Sequence, residues 1–251
     1  VLIFVYCLFI MMKGIKERLL EASEESIRSF SVKLKVSDNP ETVIGVRTPV
    51  LRKLAGSLKD EYSSFGALHE EMAELLPLYF EAKMAYVFAA VKMCRSEEEW
   101  LLFFKTILVH LDGWAVCDAV LSDVGKVLKK DVVRKAFESC FSLREGLPLY
   151  GIRVFLTIRM YYHKHGLESL DDILADINAT KPFWNHLTIR QAVSWAFATI
   201  SIGEFEGILS KWYMPILRNG DRTEEEDLTI KLYKQKMKES RRIPREWCER
   251  L

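Results

Sequence analysis

The sequence predicts an all-α protein, an α-α superhelix (solenoid) of HEAT-like helical hairpin repeats, and three observations carry that expectation. Apolar residues recur at amphipathic-helix spacing over segments of roughly ten to eighteen residues. Short turn or capping signals separate these segments. No stretch alternates apolar and polar residues with β-branched enrichment for long enough to make a strand. About a dozen helices joined by short loops, pairing into hairpins of roughly forty residues, is the pattern of a solenoid rather than of a four-helix bundle.

Taken in order, the chain opens on an apolar run, Val1 to Met12. A bilayer-crossing helix needs about twenty residues, and neither a basic region before this run nor a small-residue cleavage site after it marks an export signal. Residues 1–12 are therefore expected to be an extension outside the native chain, with translation starting at Met11 or Met12. Residues 13–251 are expected to form a single HEAT-like repeat domain.

The first amphipathic helix follows on Ile15, Leu19, Leu20, Ile27 and Phe30, and Ser37-Asp38-Asn39-Pro40 breaks it. Gly45-Val46-Arg47-Thr48-Pro49 restarts the chain, with Thr48 as the expected N-cap, Pro49 at the first helical position, and Val50, Leu51, Leu54 and Leu58 on the apolar face. Later boundaries are expected at Gly66, Pro77, Ser96 with Glu99 as a capping box, Gly113, Lys130-Asp131, Gly146 with Pro148, Gly166, Pro182, Gly203, Asn219-Gly220 and Pro244.

Hydrophobic residues make up 49% of the 251-residue chain, enough for a substantial core. Lysine and arginine number 36 against 35 acids, a net charge of +1, so a polyanion would have to be met by a local patch. Five cysteines, at Cys7, Cys94, Cys117, Cys140 and Cys248, show no paired C-x-x-C spacing. That argues for reduced thiols in a cytoplasmic protein and against a zinc site or a disulfide framework. His163 and His165 are two apart and would face different sides of a helix, so no metal is expected.

The stretch with most chemical content is Leu111-Asp112-Gly113-Trp114-Ala115-Val116-Cys117-Asp118. Asp112-Gly113 reads as a turn opening a helix of about four turns through Leu121, Val124 and Leu128. Trp114 and Asp118 then share one face, an arrangement that can grip a cationic or sugar-like group and stabilise positive charge developing on it. The alternative is a carboxylate serving the helix dipole beside a core tryptophan. Arg47, Arg52 and Lys53 around a helix start make a candidate phosphate seat, with solvated surface charge as the alternative.

In a stack of hairpins, residues one repeat apart become neighbours. One hairpin beyond Asp118 lies Arg153, a basic residue in an otherwise apolar helix, and one further lies Trp195. A buried arginine needs a carboxylate partner, and Asp118 is the expected one. A salt bridge that merely joins two repeats is the alternative.

The chain resembles the AlkD-type DNA alkylation repair proteins from about Ile15 to Leu251. The resemblance is carried by the Gly45 to Ala55 stretch, by Trp114-Ala115-Val116-Cys117-Asp118, by Arg153 in its apolar helix, by Ala192-Val193-Ser194-Trp195-Ala196-Phe197-Ala198, and by Gln235 to Ile243. It implies a superhelix of HEAT-like repeats and a DNA glycosylase that excises N3- and N7-alkylated purines. It further implies Asp118 as the catalytic carboxylate, Trp114 and Trp195 as the sugar- and lesion-facing tryptophans, Arg153 as the active-site arginine, and no cofactor. The Trp-x-x-Cys-Asp form of the motif resembles a sub-branch of the family. Val36 and Arg47 stand where the best-studied members carry a Tyr and a Gln that face the DNA.

The expected partner is double-stranded DNA containing alkylated bases, met by a monomer with no membrane attachment. Arg47, Arg52, Lys53, Arg190, Lys236, Arg241 and Arg242 are the expected DNA-binding residues, with Arg159, Lys234 and Lys238 as further candidates for a basic stripe. Two other functions fit the same sequence: a non-catalytic HEAT-like scaffold for damaged or branched DNA, and a solenoid that binds a protein partner.

Overall fold

A computed structural model describes residues 14–141 and 146–251; the apolar extension expected at residues 1–12 lies outside them. The described chain is helical, with no strand among the described residues. Its packing divides into two compact units, the first ending at Cys140 and the second beginning at Phe141.

The first unit contains α1 (Ile15–Glu21), α2 (Glu25–Lys33), α3 (Thr48–Glu61), α4 (Phe65–Met72), α5 (Phe80–Met93), α6 (Glu97–Val109), α7 (Trp114–Ala119) and α8 (Asp131–Cys140). Helices α3, α5 and α7 pack successively in one row, and α6 packs on α8 in another. This next-but-one packing is the repeat of a solenoid. Helix α5 lies in the middle of its row and is buried on nearly every side, which explains why its sequence is apolar all round. The ring of Phe103 contacts those of Phe65, Tyr86, Trp100 and Phe104, with centroids 5.2–6.3 Å apart, and Phe137 of α8 meets Phe104 at 5.6 Å.

The second unit contains α9 (Leu149–Lys164), α10 (Leu170–Ala179), α11 (Leu187–Ile208), α12 (Met214–Arg218), α13 (Glu224–Glu239) and α14 (Arg245–Glu249). Here α9, α11 and α13 pack in succession. Phe197 stacks on Trp212 at 3.7 Å, and Tyr233 closes the cluster edge-on to Trp212 at 5.3 Å. No helix among the described residues is long and apolar enough to cross a membrane.

Most boundaries fall where turn chemistry puts them. Ser96 and Glu99 form the expected reciprocal capping box, and Ser169/Asp172 and Thr223/Glu226 form two more. Four details differ. The expected first helix is two, α1 and α2, because the chain leaves helical geometry between them and Glu24 takes extended backbone at the start of α2. Thr48 is the first helical residue rather than the cap, because Arg47 already holds the extended backbone of the N-cap position. Gly66 lies inside α4, whose start is set two residues earlier by Ser64 accepting the Ala67 N–H. Gly203 lies inside α11, but the neighbouring Glu204 leaves helical geometry (φ −135°, ψ 47°), so the helix kinks there without ending.

The helix after Gly113 keeps the expected length but not a uniform pitch. Beyond Ala119 it widens over Val120–Val124 and tightens over Gly125–Val127. The widened turn carries Asp123 into a buried position.

Phe103 is fully buried among these rings. Phe103→Ala is expected to cost about 3–5 kcal/mol in denaturant unfolding, and Val109→Ala, at a side chain 74% exposed on the same helix, to stay within about 0.5 kcal/mol.

Candidate active site

The start of α7 is held in place by the segment Leu34–Asp38, which follows α2. Two contacts are backbone to backbone: Asp38 donates its N–H to the Asp112 carbonyl at 2.7 Å, and a Cβ on Gly113 would sit 2.7 Å from the Ser37 Cα and overlap the Val36 carbonyl. Only glycine permits that approach. Asp112 contributes its side chain as well. Its Oδ2 accepts from Ser37 Oγ at 2.9 Å and from Lys83 Nζ at 2.5 Å. Lys83 belongs to α5 and is almost fully buried, so its ammonium depends on this carboxylate.

Two residues before Lys83 in the same helix, Glu81 is equally buried. Its carboxylate accepts the backbone N–H groups of Ile44, Gly45 and Val46 at 3.1, 2.7 and 3.2 Å. This fixes the extended approach to α3, where Gly45 has φ +90° and a Cβ would collide with the Glu24 carbonyl and the Arg28 nitrogen. Two buried charged residues of one apolar helix, two positions apart, thus anchor the two loops that lead into α3 and α7.

On this platform Trp114 opens α7. Its indole Nε1 donates to the Leu34 carbonyl at 3.2 Å, and 37% of the residue stays exposed. Asp118, one turn on, is half-buried. Trp114 and Asp118 thus lie one turn apart on α7, on a helix start fixed from α2, α5 and the loop between α6 and α7. Cys117, between them, is buried, and its Sγ donates to the Gly113 carbonyl at 3.3 Å.

Arg153 lies buried on α9 and Trp195 half-buried on α11, both in the second unit. Within that unit Arg159 of α9 is held by Asp176 at 2.5 Å and by Glu168, and Arg190 donates to the Trp184 and Asn185 carbonyls.

The basic residues expected to meet phosphate divide by partner. Arg47 forms a forked pair with Glu24 at 2.8 and 2.9 Å; the shared hydrogen bonds raise the pKa of the arginine and lower that of the glutamate. Arg52 forms a forked pair with Asp123 at 2.7 and 2.6 Å while its guanidinium lies 4.0 Å from the centroid of the Phe88 ring. Burial pushes the Asp123 carboxyl up, but hydrogen bonds from Arg52, Lys126 and Ser122 outweigh it and leave the pKa at about 2. Arg52 thus ties α3, α5 and the widened turn after α7 together. Lys236 pairs with Glu239 at 2.7 Å. Lys53, Arg241 and Arg242 are exposed and have no ion-pair partner among the described residues. Lys53 borders an open, largely apolar pocket of about 450 Å³ between α1 and α3, lined by Leu19, Val46, Val50 and Leu54.

Glu81, Lys83 and Asp123 were not singled out from the sequence. The signal was there for the first two: a charge inside an apolar run needs a partner, the argument already applied to Arg153. Asp123 gave no such signal, because its burial depends on the local widening of the helix. Among the described residues no three His, Cys, Asp or Glu side chains converge as a metal site.

A sequence model of the family described as DNA alkylation repair enzyme matches residues 15–206. No curated protein and no solved structure matches the chain.

Two outcomes follow from this geometry. Gly113→Ala, which forces the Val36–Ser37 backbone away, is expected to lower stability by about 2 kcal/mol or more in urea unfolding and to change the near-ultraviolet signal of the tryptophans. For Asp123, a carboxyl whose pKa is depressed in the folded state, the stabilisation is complete above the ordinary carboxylate pKa near 4 and is lost as pH falls toward about 2. Asp123→Asn should therefore destabilise the protein at neutral pH and flatten the fall in melting temperature between those two pH values.

Proposed function

Because this chain belongs to the DNA alkylation repair enzyme family, we propose that it is a DNA glycosylase that hydrolyses the N-glycosidic bond of N3- and N7-alkylated purines. The observation that supports this most directly is the orientation of half-exposed Trp114 one turn before half-buried Asp118 on a braced helix start. An alkylated purine carries a positive charge and is already a good leaving group. The protein's main task is then to stabilise the sugar as the bond breaks.

In this reading the bond from C1′ to the purine nitrogen breaks, and its electron pair leaves with the base, which becomes neutral. The carboxylate of Asp118 stabilises the oxocarbenium-like sugar electrostatically and accepts the proton of the water that attacks C1′. The products are the free base and an abasic site. The indole face of Trp114 attracts the cationic base and excludes bulk water. Its hydrogen bond to Leu34 keeps the ring from rotating away, so less ordering is left to occur on binding. Arg153 and Trp195 take the roles the family resemblance gives them: the first orients a carboxylate or holds a phosphate, the second faces the lesion. No cofactor enters the reaction.

The test is incubation with duplex DNA containing N7-methylguanine, followed by detection of the free base. Asp118→Asn is expected to reduce base release by about 10²- to 10³-fold while leaving duplex affinity nearly unchanged. Retained excision by that variant would reject Asp118 as the catalytic carboxylate. Binding by the wild-type protein without any release would replace the glycosylase by a non-catalytic scaffold.

A further inference from the structure

The cations nearest in sequence to the α3 start are already engaged within the protein: Arg47 by Glu24 and Arg52 by Asp123. Lys33 and Lys35, at the C-terminal turn of α2, are exposed and have no partner among the described residues. Between them stands Leu34, whose carbonyl receives the Trp114 indole N–H. Just beyond Lys35, the Val36–Ser37 backbone lies against Gly113. These lysines therefore flank the same fixed contact that orients Trp114.

The backbone at this turn gives a second, independent indication. Helix α2 ends with the Val36 N–H reaching the Ser31 carbonyl at 3.3 Å and the Lys35 N–H reaching the Val32 carbonyl at 2.9 Å. This is the paired closure that normally places glycine in the left-handed conformation. Here that residue is Lys35, at φ +52°, the one described residue other than glycine with positive φ. A lysine at this position is strained relative to glycine. Nothing in the fold requires its side chain, which is exposed and touches no partner.

The surface around it is mixed in a way that suits one kind of ligand. Leu34 is 46% exposed, Phe30 is 59% exposed one turn earlier on the same face of α2, and Trp114 is 37% exposed. Apolar and aromatic edges framed by two unpaired ammonium groups match the alternation of sugar and phosphate along a DNA backbone.

We propose that the turn Lys33-Leu34-Lys35, together with Phe30, is a lip that holds the DNA backbone beside Trp114, with Lys35 on a phosphate and Leu34 and Phe30 against the sugars. This rests on the family's substrate being DNA, but not on base release. It adds a phosphate contact at the end of α2 to the seat expected at Arg47, Arg52 and Lys53.

The experiment compares wild type, Lys35→Gly, Lys35→Asn and Lys35→Arg in binding a short fluorescein-labelled duplex carrying a tetrahydrofuran abasic analogue, over a range of salt concentrations. Glycine and asparagine suit left-handed backbone, so both variants should keep or raise the melting temperature while losing affinity. The loss should be about eightfold at 0.1 M salt, with a salt slope shallower by about 0.9, as expected for one phosphate contact. Lys35→Arg should restore most of the binding. Unchanged affinity and slope in both neutral variants would overturn the proposal, and so would wild-type binding to polyglutamate as tight as to the duplex. Base release measured on the same proteins separates the two readings: a wild type that binds DNA and releases no base sinks the glycosylase, not the lip.

Discussion

The arrangement at the start of α7 depends on a buried lysine that would be unstable alone. Lys83 lies inside the most deeply packed helix of the first unit, and its ammonium reaches Asp112. An unpaired charge there would cost several kcal/mol, so the pair cannot open without penalty. Asp112 is thereby fixed, and with it the turn from which Trp114 and Asp118 project. The same helix fixes the approach to α3 through Glu81, whose carboxylate gathers three consecutive backbone N–H groups. The two loops therefore owe their geometry to charges buried in α5 together with their own glycines, Gly45 and Gly113.

A second ionic tie acts further along the row. Arg52 crosses from α3 over the Phe88 ring to Asp123, in the widened turn that follows α7. A uniform α-helix would present Asp123 differently, so the irregular pitch and the ion pair support each other. Arg47 and Arg52 are each engaged by a carboxylate within the protein. Other exposed cations of the first unit remain without an ion-pair partner among the described residues, Lys33, Lys35 and Lys53 among them. In a chain of net charge +1, which cations stay unpaired matters more than how many there are.

The aromatic residues divide in a similar way. Most of them, such as Phe103, Trp100 and Trp212, are buried in ring clusters and serve the core. Trp114 differs because its indole N–H finds a backbone carbonyl near the surface, which leaves the ring half in solvent. Burial and partner, not residue type, separate an aromatic that packs from one that can receive a ligand.

Much of this was legible in the chain itself. Helical periodicity and the breakers at Pro77, Ser96, Gly113, Gly166 and Pro244 determined the all-helical class and most element limits, because such signals act within one or two turns. The spacing of Trp114 and Asp118 likewise placed them on one face, since four residues make about one helical turn. Tertiary structure alone decided the rest. Whether Arg52 faces solvent or Asp123, whether Lys83 is buried, and why position 113 must be glycine all depend on side chains and backbone brought together from distant parts of the sequence. A charge carries no mark in the sequence of the partner that folding will bring to it, and that partner determines whether it holds the protein together or remains available to a substrate.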